Sequence, residues 1–138
     1  MKEYLQATLN VDALASKAAI YTPNVIAGPQ GPGLMFRGVT IHSADDPLSE
    51  ARNWLGQALS KRSRQKTQPP LALIFGLGLG WHIRAIKEIF PAIRVCVFEP
   101  DRSLFDVYSK YNVLALEQEP EIFTDITAFE EMVSAEIV

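Results

Sequence analysis

The chain has 138 residues, 48% of them apolar and 21% charged, with a formal charge of −3. That is the composition of a folded globular domain, long enough to bury its own core, and it gives no reason to expect a polyanionic partner such as nucleic acid. A single cysteine, Cys96, rules out an intrachain disulfide, and with no Cys-x-x-Cys pair or clustered histidines no metal is expected.

The first segment, Met1 to Tyr21, carries Leu5, Leu9, Leu14 and Ala18 with no proline, a spacing that predicts a helix ended by Tyr21-Thr22-Pro23. Its start lacks the apolar core of a signal peptide, so the expected location is cytoplasmic. Ala27 to Gly33 alternates glycine and proline and predicts a hairpin or connecting turn. Leu34 to Ser43 is rich in β-branched and aromatic residues and predicts a strand or a bent hairpin arm.

Asp45-Asp46-Pro47-Leu48 reads as a helix start, since Asp46 can accept from free amides and Pro47 lacks only a donor that would be orphaned there. Leu48, Ala51, Leu55, Ala58 and Leu59 fall on one face of that helix, with Trp54 at its edge and an end near Lys61. The basic run Lys61 to Lys66 that follows is read as a solvated linker.

From Leu71 onward the pattern is strand, glycine turn, helix, strand. Leu71 to Phe75 is continuously apolar, as for a parallel strand covered on both faces. Gly76-Leu77-Gly78-Leu79-Gly80 follows, then a helix from Trp81 to Phe90 stopped by Pro91, then a second strand, Ile93 to Phe98. Cys96 lies within that strand and is read as a small core residue. A helix over Ser103–Tyr111, a strand over Glu121–Thr124 and a helix over Thr127–Ile137 complete the series. The predicted fold is α/β: a Rossmann-like partial parallel sheet with flanking helices, preceded by an N-terminal helix and a small hairpin-and-helix region. The zones divide as 1–66 and 67–138, forming one compact unit. The longest apolar stretch, Leu71 to Ile83, is too short to cross a membrane, which takes roughly 20 residues.

Where a parallel strand turns into a helix, glycines permit positive φ and let a ligand approach the backbone, while the helix start offers free amides. Glu99 ends the next strand, 23 positions after Gly76. An acidic residue about that far downstream accepts from ribose hydroxyls in Rossmann-type folds. The candidate binding residues are therefore Gly76, Gly78, Gly80, Trp81 and Glu99, for a nucleotide-type ligand without a 2′-phosphate. Trp81 either stacks on a base or staples its helix to the sheet, and no catalytic role is assigned to His82. The Gly-x-Gly-x-Gly spacing departs from the dinucleotide fingerprint and is closer to the first motif of enzymes that bind S-adenosylmethionine. A small methyltransferase-like protein is one alternative, and a non-catalytic interaction module is another.

Leu73 to His82, with Val97-Phe98-Glu99-Pro100-Asp101 and the upstream His42-Ser43-Ala44-Asp45-Asp46-Pro47, resembles the N-terminal region of the motility accessory factor family of bacterial flagellin glycosyltransferases. The match runs from Leu34 to Asp125. It implies a Rossmann-like accessory domain of a flagellin glycosylation system, with a nucleotide-sugar such as a CMP-linked nonulosonic acid as ligand, and flagellin or another transferase domain as partner. The family's larger central domain, thought to carry sugar transfer, has no counterpart in these 138 residues. The expectation is an excised N-terminal domain or a short stand-alone relative, with catalysis unassigned. His42, Ser43 and Asp46 form a possible secondary site, where imidazole and hydroxyl would hold a sugar or phosphate. The competing reading makes them a helix entry, with Ser43 and Asp46 bonding backbone amides and His42 locking the turn.

Overall fold

A computed structural model describes residues 5–8, 22–61 and 71–137. Seven strands and four α-helices follow one another as β1 (Leu5–Thr8), β2 (Asn24–Ile26), β3 (Gly33–Phe36), β4 (Val39–His42), α1 (Pro47–Ser60), β5 (Leu71–Phe75), α2 (Trp81–Ile89), β6 (Arg94–Phe98), α3 (Arg102–Lys110), β7 (Glu121–Phe123) and α4 (Ile126–Ile137). A short 3-10 turn, Leu116–Gln118, precedes β7.

Four strands make one parallel sheet in the order β1-β5-β6-β7. Their registers bring Thr8, Phe75, Phe98 and Phe123 level, so all four strands end along one crest. The ladder runs one rung further, because the Gly76 amide donates to the Phe98 carbonyl and the Glu99 amide to the Phe123 carbonyl. This is the α/β, Rossmann-like partial sheet that the sequence predicts.

One expectation fails at the N-terminus. Leu5–Thr8 is a strand and not part of a helix, because its backbone groups find partners along the open edge of β5. Pairing of this kind overrides the weak helical spacing of Leu5, Leu9, Leu14 and Ala18. The rest of that predicted helix, and the basic run after Lys61, lie outside the described residues.

Alternation along the strands divides the core in two. Ala72, Ile74, Val95 and Val97 face the larger cluster, with Ala51 and Leu55 of α1, Ile83 and Ile86 of α2, and Leu104 of α3. Leu71, Leu73 and Cys96 face the opposite way, onto Phe129 of α4. Cys96 is fully buried, which pushes its thiol up to about 12, so it is a core residue and not a nucleophile.

The helix starts follow the sequence closely. Asp46, Asp101 and Asp125 each accept from amides in the first turn of α1, α3 and α4 respectively. The second, antiparallel sheet, β2-β3-β4, turns at Arg37-Gly38, both with positive φ, as two-residue hairpins require. Among the described residues no helix is long and apolar enough to cross a membrane.

Candidate functional site

Gly76, Gly78 and Gly80 all have positive φ, and the chain needs this to leave β5 and enter α2 in five residues. Gly80 has a second constraint. A Cβ there would lie 3.2 Å from the Tyr108 ring and 3.3 Å from Leu114, because α3 and the segment after it close over the turn. The two intervening leucines point inward, with Leu77 1% and Leu79 0% exposed.

The side chains predicted to meet a ligand are gathered at this turn, but they face the protein. Glu99 is fully buried. Its Oε1 accepts from the Leu77 amide at 3.0 Å and its Oε2 from the Asp101 amide at 3.1 Å. Burial raises its carboxyl above the usual carboxylate range, while the two amide bonds pull the other way. Trp81 is buried as well, and its indole N–H donates to the Pro32 carbonyl at 2.9 Å. Gly31 makes room for it: a Cβ there would sit 2.6 Å from the Trp81 ring. The indole thus ties the turn to the β2–β3 connection, and no face is left for a base.

The upstream motif closes the other side. His42 Nε2 accepts from the Leu79 amide at 3.1 Å, across 37 residues of chain. Accepting at Nε2 fixes the neutral tautomer with its proton on Nδ1. Ser43 Oγ accepts from the Asp45 amide, the Ser43 amide donates to Glu50, and Asp46 caps α1. Ser43 and Asp46 therefore hold backbone amides of the helix entry, and His42 alone of the three reaches the turn.

His82 is the residue whose place the sequence reading missed. It is 4% exposed, its ring lies 5.1 Å from that of His42, and it meets the Trp54 ring edge-on at 4.2 Å. Its signal was its spacing: His82, Ala85 and Ile86 form an i, i+3, i+4 set on the buried face of α2. Burial lowers His82 to about 4 and holds His42 well below its ordinary value, with the nearby His82 adding to the effect on His42.

Three amides of the turn are already bonded within the protein, and the ribose-binding candidate has no exposed oxygen. Open clefts among the described residues lie elsewhere. One, of about 500 Å³, runs beside the start of α1 between Asp46, Glu50, Asn53, Trp54 and Gln57. Another, of about 380 Å³, lies between β5 and α4, lined by Leu73, Phe75, Ile126, Phe129 and Val133. Among the described residues no group of three or more His, Cys, Asp or Glu could hold a metal ion.

Compared with protein-family models, with curated proteins and with solved structures, the chain matches none.

Proposed function

We propose that this chain is an accessory domain of a motility-associated (flagellin) glycosyltransferase, and that it acts by docking on the transferase or its acceptor and not by holding the sugar donor. The assignment to glycosylation rests on three separated motifs that meet in one buried cluster. His42 of the first bonds Leu79 of the second and lies against His82, while Glu99 of the third bonds Leu77. A cytoplasmic location belongs to the same reading.

The observation that carries the docking role is the buried carboxylate of Glu99, with both oxygens on main-chain amides. A hydrogen bond is worth about 0.5–1.5 kcal/mol between neutral groups and about 1.5–3 kcal/mol to a charged one, so freeing both Glu99 oxygens for a ribose would cost about 1–6 kcal/mol before any contact is gained. The nucleotide-binding alternative keeps one observation in its favour, the carboxylate's position at the crest beside the glycine turn.

The genetic test is removal of the segment encoding these residues in the cell it comes from, followed by intact-mass analysis of flagellin. The proposal expects the sugar increments to be lost or sharply reduced. Flagellin of unchanged mass would reject it.

A further inference from the structure

His42 and His82 lie where α1, α2, β4 and the glycine turn converge, and among the described residues neither ring's buried Nδ1 has a partner. The glycosylation reading uses both only as members of the buried cluster that joins the motifs, and gives neither a role of its own. We propose that the two imidazoles form an acid-released latch that holds the glycine turn against β4.

The latch follows from valence. A neutral His42 can accept from the Leu79 amide at Nε2, but a protonated ring carries hydrogen on both nitrogens and must release that amide. A proton on His82 would place a charge 5.1 Å from the His42 ring. Among the described residues no counter-ion stands ready for either. The carboxylates on the surrounding elements are Glu50, which accepts from the Ser43 amide, Asp46 at the α1 cap and Glu99 across the turn, all already bonded to amides. Asp45 lies on the exposed entry to α1. The cations nearby are committed as well: Arg52 pairs with Glu88, Arg84 lies over the Trp81 ring, and Lys87 donates to the Ile93 carbonyl. None of these groups is among the causes that shift the two histidines, which are burial and, for His42, the neighbouring imidazole. Proton uptake is therefore coupled to opening, which returns the rings to water.

Linkage sets the size of the effect. If opening exposes one histidine, the opening constant rises roughly tenfold per pH unit below about 6.5, and roughly a hundredfold if it exposes both. Amide hydrogen exchange read by NMR, corrected for intrinsic rates, tests this on the intact chain. From pH 6 to pH 5 the Leu79 amide should lose protection by about tenfold or more, and at each pH it should be clearly less protected than Ile74 and Val97 in the sheet, which open only with the whole fold. Unchanged protection at Leu79 would overturn the proposal. So would equal protection of all three amides at each pH, which reports global unfolding instead of a latch. In the double variant His42→Gln, His82→Gln, a glutamine oxygen can still accept from Leu79 but nothing titrates, so Leu79 protection should become independent of pH. A pH dependence that persists in that variant also contradicts the latch, and the wild-type measurement stands if the variant does not fold.

Discussion

The glycine turn and the groove beside α4 make opposite use of the same sheet. The turn has glycines, a following helix and a downstream acid, as a ligand site would, yet it is filled by the protein's own groups: Glu99 and His42 on its amides, Trp81 and Leu114 packed against it. The groove is open among the described residues, walled by the apolar side chains of Leu73, Phe75, Phe129 and Val133. Glycines after a parallel strand report that the backbone must turn sharply there. They do not report whether a ligand or a side chain satisfies the amides that the turn exposes.

The two regions should also fail differently. On the α4 side, Phe129 is 2% exposed and meets the rings of Phe75, Phe98 and Phe123 at 5.5, 5.6 and 5.6 Å. Phe129→Ala should cost about 3–5 kcal/mol in denaturant unfolding, nearly independent of pH, since only apolar contacts are lost. A cost below about 1 kcal/mol would mean that α4 is not packed on this face as described.

The turn side is polar, and its stability should depend on pH. With His82 lowered to about 4 in the fold and near 6.5 unfolded, the unfolded chain takes up a proton that the fold refuses. That contribution is complete above about pH 6.5 and lost as the pH falls toward 4, amounting to about 3 kcal/mol. Urea unfolding at pH 7 and pH 4.5 measures it, and His82→Phe should flatten the dependence. An equally steep loss in that variant would assign the effect to other groups.

These contrasts separate what was legible in the sequence from what was not. The β5-turn-α2-β6 unit was readable because its strands are apolar on both faces and its turn is rich in glycine, signals that act within a few residues. The cap at Asp46 was readable for the same reason. The strand at Leu5–Thr8 was not, because its ladder is supplied by β5, more than sixty positions away. At the site, the sequence placed Glu99 at the turn. Whether its oxygens face inward depends on the backbone angles of Gly76 and Gly78 and on the approach of β4, which no local pattern encodes.

A smaller effect tests the closure of the turn itself. Glu99→Gln keeps one acceptor but turns an NH₂ toward an amide donor, so it should cost about 1–3 kcal/mol. The sign of its pH dependence is opposite to that of His82. Burial raises the Glu99 carboxyl, so the fold holds its proton more tightly than the unfolded chain does. Stability contributed by Glu99 is then largest at low pH and declines as the carboxyl ionises in the fold. The penalty of Glu99→Gln, read from chemical denaturation, should be larger at pH 5 than at pH 8. A penalty that grows with pH would show that the ionised carboxylate is the form the turn prefers.

The most direct measurement is a thermal-shift and calorimetric titration of the chain with CMP, UDP, nucleotide-sugars, NAD and S-adenosylhomocysteine. A ligand held at a hundred times its Kd would add about 2.7 kcal/mol to stability. With the turn closed by Glu99 and His42, no saturable shift or heat is expected at millimolar concentrations of any of them. Saturable binding that disappears in Glu99→Gln would contradict this, and would mean that the carboxylate leaves Leu77 and Asp101 to take a ribose.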